Sequence, residues 1–231
     1  MKQSDHGVLL NRISYSENSL IATFFTENSG VQKFIFPGGK KKAGNLFPLG
    51  IYELTYYKRP DSELGKVNQA DLVNSMQNIF INPLKSVIAF FVAEILFQSI
   101  KSEERDSELF EFIIFEINQL EKEEYLKSYP ALFLLNFITH IGIKPLVEND
   151  DSEYFDLEQG VFTSNPTNLN KSVISNASKA IRNFLLETED YRELLSINTK
   201  EVVSILITYL GIHLPNFKGQ RSLELVRDIL H

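Results

Sequence analysis

The feature that most constrains this 231-residue chain is a change of hydrophobic period near residue 80. Before it, apolar residues come in short runs at 7–13, 19–26 and 31–36, rich in β-branched and aromatic side chains and separated by turn clusters at 14–18 and 27–30. Side chains of this kind suit a pleated, half-buried surface, and Ser/Asn/Gly clusters suit hairpin turns, so these runs are expected to be strands. Further strands are expected at 49–57 and, with a more polar sequence, up to residue 73. Five short strands in so short a length suggest a small barrel, and a barrel of the OB type has that strand count.

After Pro83 the period becomes helical. Leu84, Val87, Ile88, Phe91, Ile95 and Phe97 describe a helix buried on most sides. A second helix is expected over 107–120, with Leu109, Phe110, Ile113, Ile117 and Leu120 on one stripe and Glu111, Glu116, Glu121 and Lys122 toward water. A third opens at Ser128 and is stopped by Gly142 and Pro145, and the three should pack as a bundle. Residues 146–171 are acidic, then rich in Asn, Ser and Thr, and read as a loop with at most a small hairpin. Helices resume at 172–186; Asn198 with Glu201 has the spacing of a capping box that would start a helix over 202–213; and Ser222 would cap a last helix over 223–230. The expected fold is α+β in two domains: an OB-fold barrel at 1–80, and an all-helical domain at 81–231 with a small irregular insert at 146–171.

Several function classes are set aside by composition. There is no cysteine, and His6, His140, His213 and His231 show no metal-motif spacing, so neither a metal nor another cofactor is expected. The N-terminus has no continuous apolar run, and the apolar segment 87–97 is too short to cross a bilayer and contains Glu94. A soluble, cytoplasmic protein with no membrane partner is expected. No nucleophile-elbow or P-loop spacing occurs, and the carboxylates Glu27, Asp61, Asp150, Asp151, Glu153 and Asp156 read as solvated charge before they read as acid–base or metal groups, so no enzyme is expected.

The net charge of −7 is unevenly spread, with +2 on residues 1–80 and −9 on the rest. Lys40, Lys41 and Lys42 stand together between glycines after the third strand. A solvated loop and a grip on nucleic-acid backbone are both open readings, whereas three lysines without basic flanks are too few for a localisation signal. Lys33, Lys58 and Arg59 lie nearby in sequence, interleaved with Phe34, Phe36, Phe47, Tyr52, Tyr56 and Tyr57. Most of these aromatics belong in a barrel core, but one or two facing outward would suffice to stack bases.

The motifs, in order, resemble the bacterial recombination mediator family RecO, in particular members of the Bacteroidetes type. "GVLLNRISYSENSLIATFFTENSG" (7–30) resembles the family's opening strands, and "GGKKKAGNLFPL" (38–49) its basic Gly-flanked loop. "PLKSVIAFFVAEILF" (83–97) and "FITHIGIKPLVE" (137–148) resemble its first helix and a Gly-x-x-Pro helix end, and "YFDLEQGVFTS" and "LGIHLPNFKGQRSLELVRDIL" resemble later regions. The resemblance implies a non-enzymatic role in DNA repair and recombination. It implies binding of single- and double-stranded DNA, strand annealing, contact with RecR, and recognition of the C-terminal tail of the single-strand DNA-binding protein so that recombinase can load; the location implied is cytoplasmic and nucleoid-associated.

Many members carry a four-cysteine zinc site in the insert; here no zinc is expected, and packing of Tyr154, Phe155 and Phe162 must hold it. Carried over residue by residue, DNA binding falls on Lys40, Lys41 and Lys42, with Lys33, Arg12, Lys58 and Arg59 as further candidates. Lys85, Lys179 and Arg182 are candidate rims of the partner-tail pocket. The alternative is a protein-interaction adaptor with little DNA affinity of its own.

Overall fold

The computed structural model describes residues 2–38, 46–59, 61–73, 76–188, 190–219 and 224. By contact the chain divides into two compact units, Met1–Lys122 and Glu123–His231. The helix expected at 223–230 lies outside the described residues, apart from Glu224.

The first unit holds five strands, β1 (Lys2–Ser14), β2 (Leu20–Thr26), β3 (Gly30–Phe36), β4 (Ile51–Tyr57) and β5 (Leu64–Leu72), closed into a barrel in the order β1-β2-β3-β5-β4. Only β3 and β5 run parallel; every other pair is antiparallel, and the long β1 pairs with β4 through its first half and β2 through its second. This is an OB-like barrel. Inward positions alternate along the strands, as period two requires. Leu9, Ala22, Phe24, Phe34, Tyr52, Leu54, Tyr56 and Val67 fill the interior, with Phe24 set edge-on to Tyr52 at 5.8 Å and beside Phe34 at 6.0 Å. The tight β2–β3 hairpin needs Gly30, which sits at φ +60° with the carbonyl of Glu104 2.3 Å from where a Cβ would be.

Among the described residues this unit also holds the helices α1 (Gln77–Ile81), α2 (Pro83–Ser99) and α3 (Ser107–Lys122). Asn82 caps α2, its side chain accepting from Leu84 N and Lys85 N, and Pro83 takes the first helical position, where its missing N–H costs nothing. Phe110 of α3 covers Phe25 on the outer side of β2 at 6.2 Å. Glu116, expected to face water, is buried instead, because it lies one turn from both Ile113 and Leu120, inside the apolar stripe.

Among the described residues the second unit holds α4 (Tyr129–His140), a small sheet, α5 (Asn176–Leu185) and α6 (Tyr191–His213). The insert is more ordered than the expected loop and hairpin. Four short strands, β6 (Leu146–Val147), β7 (Tyr154–Asp156), β8 (Val161–Thr163) and β9 (Ser172–Val173), form a sheet in the order β6-β8-β7-β9. Phe155 and Phe162 stack at 4.5 Å, both fully buried, while Tyr154 is half-buried. The helix expected from 172 therefore starts at Asn176, where Ser175 and Ser178 make a reciprocal capping box.

The expected capping box at Asn198 does not exist. Helix α6 begins seven residues earlier and passes through Asn198 with a kink (φ −111°, ψ 15°), the Asn198 amide donating back to Leu194 O. Buried Leu195 and Thr199 carry the apolar stripe across the kink. Among the described residues α6 is the one helix long and apolar enough to cross a membrane, but half of its apolar window is buried, and it packs against α4 and α5 as a core helix.

Candidate nucleic-acid interface

Strand register determines which side chains share the outer face of the barrel. Directly paired residues lie side by side on one face, so a lateral row can be followed from strand to strand. One row begins at Lys2 of β1, which pairs with Tyr57 of β4; Tyr57 pairs with Lys66 of β5, and Lys66 with Ile35 of β3. The row continues to Ile21 of β2 and Ile13 in the second half of β1. Lys2, Tyr57, Lys66 and Ile13 are exposed, and Ile35 and Ile21 half-buried. Helix α3 covers β2 at Phe25, four residues further along that strand from Ile21.

Lys33 stands on the same outer face of β3, opposite Leu64, and is exposed. Its charge is felt by Lys101, whose pKa is lowered first by burial and then by Lys33. The Lys101 ammonium donates to the Phe97 carbonyl and sits 5.0 Å from the centre of the Phe97 ring. Lys58 is spoken for: its ammonium donates to Gln32 Oε1 at 2.7 Å and lies 3.9 Å from the Glu103 carboxylate. Arg59 is exposed just beyond β4. Arg12 is exposed away from this row, opposite Ala22, and its charge reaches Tyr52. Burial pushes the Tyr52 hydroxyl up to about 12, against the opposing effects of the Phe47 N–H and Arg12. Lys40, Lys41 and Lys42 lie outside the described residues.

Lys2, Lys66 and Lys101 were not among the sequence candidates. Outward placement of Tyr57 and Lys66 follows from the inward phase of Tyr52, Leu54, Tyr56 and Val67, but their lateral pairing does not. Lys2 was missed because the first strand starts five residues before its apolar run.

The partner-rim candidates separate. Lys85 is buried in the first unit, its ammonium donating to the Glu121 carbonyl at 2.6 Å. Lys179 and Arg182 both line a cavity of about 720 Å³ in the second unit, between the insert and helices α5 and α6. Phe162 and Ile174 give it an apolar floor, and Arg182 also donates to the Ser152 carbonyl. Asp151, Glu153 and Glu201 line the same cavity, so its two cations face three carboxylates.

The insert does not fit the four-thiolate zinc site that the family resemblance would suggest, since the chain has no cysteine. Its centre is Asp156, fully buried, which accepts from Thr167 Oγ1 (2.6 Å), Thr167 N (2.9 Å), Gln159 N (3.0 Å) and Glu158 N (3.1 Å). Burial alone would raise this carboxyl's pKa; the four donors outweigh it and hold the pKa below the ordinary range. No group of three or more His, Asp or Glu among the described residues could hold a metal ion.

An OB-like barrel with an exposed basic and aromatic outer face, followed by a helical region, defines a two-unit α+β protein with an N-terminal OB-like barrel. Residues 1–76 match the family model described as Recombination protein O N terminal. Across its length the chain is similar to DNA repair protein RecO of Flavobacterium psychrophilum (25% identical, 99% of each chain covered), Bacteroides fragilis (28%, 99% of each) and Flavobacterium johnsoniae (24%, 99% of each).

Proposed function

We propose that this protein is a DNA repair and recombination mediator. Its barrel, within residues 1–80, binds DNA through phosphate backbone, and the region 81–231 recruits protein partners. The observation that carries this reading is the end-to-end similarity to proteins named DNA repair protein RecO, over 99% of both chains. The exposed cations Lys2, Lys33, Arg59 and Lys66 on the barrel support it. Sequence-independent binding rests on neutralising phosphates, and a local basic face suffices even where the whole chain is acidic. Lys40, Lys41 and Lys42 belong to the same proposed interface, and Arg12, away from the row, is a separate candidate for phosphate contact. Single- and double-stranded DNA are the ligands, strand annealing and recombinase loading the outcomes, and RecR the pathway partner, in a cytoplasmic, nucleoid-associated setting.

The cavity at Lys179 and Arg182 is the best candidate for the single-strand-binding protein's tail, because it combines an apolar floor with two cations. Its three carboxylates favour the second reading, an adaptor with little DNA affinity. Fluorescence anisotropy with labelled single-stranded DNA at low salt, repeated with the tail peptide, separates the two. Binding of the peptide without DNA selects the adaptor. If DNA binds, replacing Lys40, Lys41 and Lys42 together by glutamine should lower the salt slope by about 2 for single strands. An unchanged slope removes those three residues from the interface.

A further inference from the structure

We propose that Lys2, Tyr57 and Lys66 form a platform on the outer face of β1, β4 and β5, on which Tyr57 stacks one unpaired base of a DNA strand while the lysines hold the flanking phosphates. The inference deepens the DNA-binding reading above and rests on it. Three strands in direct register carry the three side chains, with Tyr57 paired to Lys2 on one side and Lys66 on the other. Neighbouring strands lie about 4.8 Å apart, which puts the two lysine backbones about 10 Å from each other with the tyrosine midway. Tyr57 is 45% exposed although its neighbours Leu54 and Tyr56 are buried, so the barrel core leaves much of it outside.

Charge gives the platform a direction. Around it are Lys33 on the same face of β3 and Arg59 just beyond β4. At the other end of β4, Glu53 pairs with Asp71 of β5, and His6 of β1 faces Glu53. Asp61 and Glu63 are exposed in the β4–β5 connection, at the Tyr57–Lys66 end, where they oppose part of this positive charge. The Lys2–Lys66 end thus carries four exposed cations, Lys2, Lys33, Arg59 and Lys66, against these two carboxylates, and a phosphate backbone is favoured there over the Glu53–Asp71 end. The half-buried Ile35 and Ile21 continue the row and offer apolar contact to the next bases. Stacking requires a base free of its neighbours, so a duplex would engage the lysines but not the ring. Tyr57 therefore favours single strands.

The test uses the full chain and a labelled dT oligonucleotide of about 15 nucleotides, within the span of one barrel of this class. Tyr57→Ala is expected to weaken binding of this strand roughly 5- to 150-fold, the equivalent of one lost stacked base. Affinity for a blunt duplex should be unchanged, and Tyr57→Phe should bind as the unaltered protein does. Lys2→Gln with Lys66→Gln should reduce the single-strand salt slope by about 1.4. Circular dichroism melts of each variant exclude loss of folding as the cause. If the unaltered chain binds dT and Tyr57→Ala binds as tightly, or if single strand and duplex weaken equally, the platform is wrong while DNA binding stands. If the double lysine variant loses an acidic peptide and not dT, the face serves a protein. Failure of the unaltered chain to bind either DNA overturns the DNA-binding reading itself.

Discussion

Replacing Asp156 by asparagine tests the account of how the cysteine-free insert is held. The side chain keeps its shape but loses its charge and one acceptor. The amide oxygen can still accept from Glu158 N and Gln159 N, as Asp156 Oδ1 does at 3.1 and 3.0 Å. The amide nitrogen then faces the backbone N–H of Thr167, which Oδ2 now receives at 2.9 Å, so a donor meets a donor. Leaving one such group without its partner costs about 1–3 kcal/mol. For a chain of this length that is roughly 2–12 °C of melting temperature. Because the folded pKa is depressed, the carboxylate contributes stability that is fully present above the unfolded value near 3.9 and lost as pH falls through the folded value. The gap between wild type and Asp156→Asn should accordingly be full at pH 7 and close under acid. Differential scanning calorimetry and urea titrations across that range measure it. Equal stability at pH 7, or a gap that does not change with acid, would refute the reasoning.

Two further substitutions probe the first unit. Gly30→Ala should cost about 1–3 kcal/mol, since alanine is strained at φ +60° and its methyl would press on the Glu104 carbonyl; urea unfolding reads this directly. Glu121→Ala removes the carboxylate that accepts from Asn78 N at 2.9 Å and Ile79 N at 3.0 Å at the start of α1, and should destabilise by about 1–3 kcal/mol. Amide hydrogen exchange at Asn78 and Ile79 should rise in that variant, whereas unchanged protection would show that other groups hold the helix start.

How much was legible differs from element to element. The barrel strands were readable because the phase of Phe24, Phe34, Leu54 and Tyr56 repeats every second residue, and helices α2 to α4 because their apolar stripes repeat at helical spacing. The insert sheet was not, since β6 and β9 are two-residue strands whose partners lie 15 to 18 residues away. Asn198 misled because its side chain can cap a helix start or bond back to the preceding turn, and only the burial of Leu195 and Thr199 decides between them. Of the interface candidates, Lys33 and Arg59 are exposed, whereas Lys58 and Lys85 are held by Gln32 and the Glu121 carbonyl, residues distant in sequence.

By itself the sequence determined the kind of each long element, the alternation of inner and outer positions along the barrel strands, and the uneven charge. All of these are properties of residues within a few positions of one another. Only the tertiary structure decided that Lys2 and Lys66 flank Tyr57, that Lys179 and Arg182 share a cavity with three carboxylates, and that Asp156 gathers Glu158, Gln159 and Thr167. Period two says which face a side chain takes but not which strand lies beside it; that depends on barrel closure and on a register set by every core contact at once.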